Sequence, residues 1–165
     1  PMNTMPTVPA QELSVPEYTY VCVIIPLTAA ALILKYTGMI NCGNIPALRL
    51  PFGVAGGILI LLGILLWALA NFQCHISENI QANRLVTTGI YGLVRNPILS
   101  GHLLVNTGVL LWALNWFLII LPFLYWLYLT VLLRATEEKW LRALYGQKYL
   151  EYCRRVNRCI PWFPK

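Results

Sequence analysis

The sequence predicts an all-α membrane protein that crosses the bilayer four times and ends in an amphipathic cytoplasmic helix. Of its 165 residues, 58% are hydrophobic and only 11% are charged, whereas a soluble domain usually carries about 25% charged residues. The apolar residues form four blocks, each close to the roughly 20 residues that cross the hydrocarbon of a bilayer. Eight of the twelve lysines and arginines follow residue 133, behind the last block.

The order of these blocks predicts a single membrane domain over residues 18–165, preceded by a flexible lead-in at residues 1–17. The lead-in is rich in Pro, Thr and Glu, and it lacks the basic segment that begins a cleaved signal peptide. The predicted spans are residues 18–36, 52–72, 97–114 and 116–133. Gly53 and Gly57 form a GxxxG pattern in the second span, which we interpret as a helix-packing feature.

A charged amphipathic helix is predicted over residues 136–157, after the fourth span. Its aromatic and leucine residues recur at three- and four-residue spacing, with Lys and Arg between them, and Gly146 is expected to divide it. Such a segment is expected to lie on the membrane surface. Because basic residues stay on the cytoplasmic side, the tail predicts that both termini are cytoplasmic. A basic tail after a span fits anionic lipid headgroups, and no nucleic-acid-reading module is visible.

Polar residues gather where the third span begins, at Arg95 and Asn96, and where the fourth ends, at Glu137 and Glu138. A tight reversal at Asn115 predicts that these spans are antiparallel neighbours, so the four residues are expected to meet at the inner leaflet. Arg95 would hold a carboxylate there, helped by the free N–H groups of the helix start. An inward glutamate would take an ammonium or ribose hydroxyls. The alternative is an ion pair that only ties two helices together.

The two glutamates point about 100° apart on a helix, so only one is expected to face inward. His102 and Asn106 lie four residues apart on one face of the third span. They are interpreted either as a polar lining of a substrate cavity or as interhelical hydrogen-bonding groups. The sequence contains no hydrolase elbow, P-loop, GxGxxG or HExxH motif. Its five cysteines form no CxxC pair, so neither a disulfide framework nor a metal site is predicted.

Three stretches of the chain resemble the integral-membrane methyltransferases of the isoprenylcysteine carboxyl methyltransferase and phospholipid methyltransferase group, in a bacterial-type form. The stretches are Gly89–Gly101, the pair Glu137-Glu138, and Tyr145–Pro161, and they occur in the order and at the separation found in that group. The resemblance covers roughly residues 50–165. Asn96 stands where most of these proteins have His, and Leu99 stands where many have Tyr.

The resemblance implies that S-adenosylmethionine binds where the three stretches meet. The residues implied to contact or enclose it are Tyr91, Arg95, Asn96, Pro97, Gly101, Glu137, Glu138, Tyr149, Tyr152, Arg155, Arg158 and Pro161. Arg95 and Glu138 are assigned the catalytic roles. His102 and Asn106 would line the substrate cavity.

The expected activity is methyl transfer to a lipophilic small molecule or lipid in the bacterial inner membrane, at a carboxylate, thiol or amine. Because the sulfonium donor is already activated, positioning is expected to carry most of the catalysis, and no metal is needed. Two alternatives remain open at this point. One is an NADPH-dependent membrane reductase of the sterol-reductase type, and the other is a non-catalytic membrane scaffold. The oligomeric state is not predicted.

Overall fold

Six α-helices make up most of the part of the chain that the structure describes. The computed structural model describes residues 10–73 and 85–161. The helices are α1 Ala10–Tyr36, α2 Arg49–Gln73, α3 Pro97–Trp112, α4 Ile120–Ala135, α5 Glu137–Tyr145 and α6 Gln147–Arg155. Short 3₁₀ turns at Pro46–Leu48 and Gly89–Gly92 precede α2 and α3. The prediction of an all-α fold is confirmed for these residues.

Three helical segments are long and apolar enough to cross a membrane, and they identify a membrane protein. They are Val15–Tyr36, Pro46–Phe72 and Ile120–Tyr145. Helix α3 is apolar but has only 16 residues, which corresponds to a length of about 24 Å. It is shorter than the predicted span because residues 113–119 form the chain reversal instead of continuing either helix. Four complete crossings therefore stay a prediction.

Helix α1 begins at Ala10, so residues 10–17 are helical and continue into the predicted first span. The flexibility of the lead-in stays a prediction. Pro16 interrupts the helical pattern of the sequence, but membrane helices accommodate proline when neighbouring groups satisfy the freed carbonyl. Pro16 is fully buried, which shows that its ring is part of the packing. The first nine residues of the predicted lead-in lie outside the described part of the chain.

Helices α2 and α3 run antiparallel and approach each other through glycines spaced seven residues apart. Gly56 faces Gly108, and Gly63 faces Gly101. A Cβ at Gly108 would lie 2.5 Å from the carbonyl oxygen of Gly56, and a Cβ at Gly101 would lie 2.7 Å from that of Gly63. Small residues permit such close backbone contact in membrane helices. The predicted GxxxG pair is not this contact, because a Cβ at Gly53 would meet no atom within 4 Å.

A second layer of packing joins α1 to α3 and α4. Its centre is a cluster of buried residues that includes Ile24, Leu99 and Leu129. The Tyr125 hydroxyl and the Thr28 hydroxyl share a hydrogen bond of 2.9 Å between α4 and α1. Polar side chains within a membrane core are normally paired in this way. The arrangement fixes the first turn of α3 and the end of α4 on the same side of the bundle.

The reversal between α3 and α4 is held by Asn115, which is completely buried. Its Nδ2 donates to the carbonyl of Cys42 at 2.9 Å, and its Oδ1 accepts from the backbone N–H of Phe117 at 3.0 Å. The backbone adds two further bonds, from Ile45 N–H to Leu114 O and from Trp116 N–H to Gly43 O. The predicted tight reversal at Asn115 is therefore confirmed, and it is docked onto the loop between α1 and α2.

Asn115→Ala is expected to lower the free energy of unfolding by about 1–3 kcal/mol, because buried groups that lose a hydrogen-bond partner keep their desolvation cost. The measurement is the thermal unfolding midpoint of the purified protein in detergent. Asn71→Ala serves as the control, since Asn71 is exposed and bonds only to a carbonyl one turn back in its own helix. Equal midpoints for the two variants would show that the Asn115 bonds contribute nothing measurable.

Candidate functional site

The segment before α3 places Arg95 at the helix start. Gly89 has φ +63°, a value that glycine adopts without strain, and the 3₁₀ turn Gly89–Gly92 follows from it. Ile90 and Val94 are buried against Leu66 of α2 and anchor this turn. The missing N–H of Pro97 costs nothing at the first position of α3. Arg95 is thereby held between an anchored turn and a helix.

The centre of the site is an ion cluster of Arg95, Glu138 and Arg158. Arg95 Nη1 lies 3.1 Å from Glu138 Oε1. Arg158 binds the same carboxylate twice, with Nε on Oε1 and Nη2 on Oε2 at 3.0 Å. The side chains of Arg95 and Glu138 are 9% exposed and that of Arg158 is 18% exposed. The predicted meeting of Arg95 with Glu138 is therefore present in the structure.

The three side chains carry one positive charge in excess, because two guanidinium groups share one carboxylate. Guanidinium groups stay protonated in proteins, and the hydrogen bond to Glu138 raises the pKa of Arg158 further. Glu137 is half-buried beside Glu138. Its side chain interacts electrostatically with the charged groups of Glu138, Glu17 and Arg95. Glu138 is the buried member of the pair, and the helical spacing predicts only that one of the two glutamates faces inward. The cluster is suited to an additional anion.

The chain after α6 runs beside the segment before α3 and closes the site. Val94 and Asn157 form a parallel bridge, in which Arg95 N–H donates to Asn157 O at 2.9 Å. Asn96 Nδ2 donates to Arg158 O at 3.3 Å. These bonds carry Arg158 to Glu138 from a position 20 residues later in the chain. The family resemblance implies that Arg158 encloses the site but does not imply its ion pair with Glu138.

Helix α6 turns its aromatic face toward the same segment. Gly146 separates α5 from α6 with φ +53°, so the predicted division of the C-terminal helix is present. Tyr149 and Tyr152 are buried, and burial raises the pKa of both hydroxyls. They are therefore neutral donors at physiological pH. Tyr152 Oη donates to Tyr91 O at 2.7 Å, which fastens α6 to the 3₁₀ turn.

Tyr152→Phe is expected to lower the free energy of unfolding by about 1 kcal/mol, the usual net contribution of one hydrogen bond. The loss falls on the contact between α6 and the turn, so we also expect faster proteolysis after the arginines of α6. Thermal unfolding and limited trypsin digestion measure the two effects. Tyr36→Phe, which alters an exposed ring at the end of α1, is the control. A Tyr152→Phe protein that behaves like this control would contradict the proposed fastening.

The other candidate residues lie in different surroundings. Gly101 packs against Gly63 and Trp67 of α2, where a Cβ would not fit. Asn106 is buried and donates to the carbonyl of His102 in its own helix, at 2.9 Å. This bond is neither of the two arrangements expected for the pair. Arg155 is exposed on α6 and Pro161 is half-buried. Their assigned ligand contacts stay predictions.

Sequence reasoning misses one residue at the centre of the site. Arg95 Nη1 donates to Cys153 Sγ at 2.7 Å, and Cys153 is half-buried on the inner face of α6. Arg95 Nε is buried and has no hydrogen-bond partner among the described residues. The spacing of Cys153 from Tyr149 places it on the aromatic face, which is the one signal that the sequence offers. The described residues contain no group of His, Cys, Asp and Glu able to hold a metal.

The long apolar helices identify a membrane protein, and a family comparison identifies its methyltransferase type. Residues 52–148 match the model of the phospholipid methyltransferase (PEMT) family, and the chain belongs to this family. The mouse Delta(14)-sterol reductase TM7SF2 is 38% identical over 48% of this chain. The alignment covers only 19% of that reductase, so the chain spans about a fifth of the length of this relative. No solved structure matches the chain. Membership of a bacterial-type branch stays a prediction.

Proposed function

We propose that the chain transfers a methyl group from S-adenosylmethionine to a lipophilic acceptor at the inner face of the membrane. The observation that carries the proposal is the buried ion cluster, which has one positive charge in excess. S-adenosylmethionine is a cation that ends in an α-amino carboxylate, and this carboxylate is the group suited to the excess charge. Family membership supports methyl transfer as the reaction and a membrane lipid as the class of acceptor.

The unpaired N–H group at Arg95 Nε also supports the binding of a carboxylate at this site. Arg95 Nε is buried without a partner among the described residues, and a buried unpaired donor is costly. A carboxylate at this atom would satisfy the donor and neutralise the cluster at once. The N-terminus of α3, which starts at Pro97 beside Arg95, favours an anion through its free N–H groups. Glu137 lies next to the cluster and would accept hydrogen bonds from ribose hydroxyls or an ammonium group.

The residues of the site would position the reactants and exclude water. When bound, the cofactor supplies an activated methyl group on a sulfonium. Arg95 and Arg158 would hold the anionic end of the donor, while Tyr149 and Tyr152 would close the site from the surface. Glu138 would hold both guanidinium groups in place, since Oε1 contacts both arginines and Oε2 accepts from Arg158. The acceptor would enter from the bilayer, and any proton that it loses would leave to water.

Orientation forms part of the proposal, with the ion cluster and both termini on the cytoplasmic side. In support, Glu17 in the first part of α1 interacts electrostatically with Glu137 of α5, whereas Lys35 at the other end of α1 lies beside Asn44 in the opposite loop. Cys42 is exposed in this opposite loop. A membrane-impermeant maleimide should therefore label Cys42 from outside intact cells. Labelling of Cys42 only in inverted vesicles would reverse the orientation.

Isothermal titration of the purified protein with S-adenosylhomocysteine and with NADPH tests the proposal. We expect binding of S-adenosylhomocysteine and none of NADPH, followed by transfer of labelled methyl from S-adenosylmethionine into a lipid extract. The similarity to the mouse sterol reductase supports one competing function, an NADPH-dependent membrane reductase. Binding of NADPH alone would favour this reductase. Binding of neither nucleotide would favour a non-catalytic scaffold.

A further inference from the structure

The orientation of the Arg95 guanidinium depends on two contacts at a single nitrogen. Nη1 lies 3.1 Å from Glu138 Oε1 and donates to Cys153 Sγ at 2.7 Å. Nη1 carries two N–H groups, so it can serve a carboxylate oxygen and a sulfur at once. Nε then remains free and buried. The thiol and the carboxylate together set the direction in which the free donor points.

Glu138 alone does not fix this orientation, because Arg158 already occupies both of its oxygens. Arg95 is left with a single contact to Oε1, about which its planar group would rotate. The hydrogen bond to the Cys153 sulfur is the second contact, and it fixes the orientation of the guanidinium plane. Cys153 is itself held on α6, where it packs against the buried cluster of Tyr149, Tyr152 and Val156. The thiol therefore links the aromatic face of α6 to the guanidinium.

We propose that Cys153 is a positioning residue, whose thiol holds the Arg95 guanidinium so that Nε faces the carboxylate of the bound nucleotide. The inference rests on the proposed function, since it assigns Cys153 to the same site. Sulfur is a weak acceptor. The neutral thiol orients the guanidinium and leaves the excess positive charge of the cluster in place. A second carboxylate at this position would neutralise that charge. Cys153 does not touch the ligand in this scheme and acts only through Arg95.

Titration of S-adenosylhomocysteine into Cys153→Ala and Cys153→Ser measures the effect. Because sulfur accepts only weakly, loss of this hydrogen bond should weaken binding about three- to tenfold in Cys153→Ala, as for an ordinary neutral hydrogen bond. Serine keeps an acceptor at the same position, so Cys153→Ser should recover binding to within about twofold of the unmodified chain. Cys22→Ala removes an exposed thiol on α1 and is the matched control. Unchanged binding in Cys153→Ala, or equal weakening in both Cys153 variants, would overturn the inference.

A second measurement separates this inference from the proposed function. The thermal midpoints of Arg95→Lys, Cys153→Ala and the double variant form a double-mutant cycle. If the two side chains interact, the midpoint shift of the double variant should differ from the sum of the two single shifts. If the unmodified chain does not bind S-adenosylhomocysteine but the cycle shows coupling, the proposed function fails and the Arg95–Cys153 contact stands. Additive shifts overturn the positioning role, whatever nucleotide the chain binds.

Discussion

Glu138→Gln is expected to abolish binding of S-adenosylhomocysteine and to lower the stability of the protein. Glutamine has the shape of glutamate but lacks the charge that two buried guanidinium groups share. Removing one partner of a buried ion pair typically costs about 3–5 kcal/mol, because the remaining charge stays desolvated. Here both Arg95 and Arg158 lose their partner. Affinity should fall by at least about a hundredfold as the arginines move away from the site.

Calorimetry at matched detergent concentration measures the affinity, and thermal unfolding measures the stability. Glu151→Gln makes the same chemical change on the exposed face of α6 and is the control. This control shows whether an effect of Glu138→Gln comes from breaking the ion cluster or only from the removal of one negative charge. A Glu138→Gln protein that binds S-adenosylhomocysteine as tightly as the Glu151→Gln protein would remove the ion cluster from the proposed site, even if its midpoint were lower.

The meeting of Arg95 with Glu138 could be predicted from the sequence because it follows from chain geometry alone. Two neighbouring apolar helices joined by a short reversal must bring the start of the first close to the end of the second. Asn115 marks this reversal in the sequence, and the structure shows its side chain holding the turn. The helical angle between consecutive residues likewise predicts that one glutamate of the pair faces inward.

The role of Arg158 could not be predicted in the same way. Arg158 follows the end of α6, so no helical period assigns it a face. Its position depends on the bridge between Val94 and Asn157, two residues that are distant in sequence. Backbone pairing of this kind leaves no pattern in either segment. The contact of Cys153 with Arg95 has the same origin, because it requires α6 to pack beside the turn before α3.

The register of α2 against α3 was also beyond the sequence. The GxxxG pattern draws attention to Gly53 and Gly57, but the closest contacts use Gly56 and Gly63. All four glycines lie within one helix, and only the partner helix selects among them. Gly101 and Gly108 repeat the spacing of seven residues in the opposite direction.

Gly56→Ala and Gly63→Ala are expected to lower the free energy of unfolding by about 1–3 kcal/mol each, the usual cost of overpacking. A Cβ at either position would lie 2.7 Å from a carbonyl oxygen of α3, and backbone cannot rotate away as a side chain can. The helices must therefore separate. Gly63→Ala should also weaken S-adenosylhomocysteine binding, because its partner Gly101 lies one turn from Pro97 and the start of α3 carries Arg95 into the cluster.

Gly57→Ala is the control for this prediction, since it is the neighbour of Gly56 and a Cβ there would meet only an atom of Trp112 at 3.9 Å. Alanine favours a helix over glycine by about 1 kcal/mol, so Gly57→Ala should leave the thermal midpoint unchanged or raise it. The opposite signs at adjacent positions distinguish steric separation of the helices from a general effect of substituting glycine. Equal midpoints for Gly56→Ala and Gly57→Ala would mean that α2 and α3 do not approach at these glycines, and the placement of Arg95 by that contact would then fail.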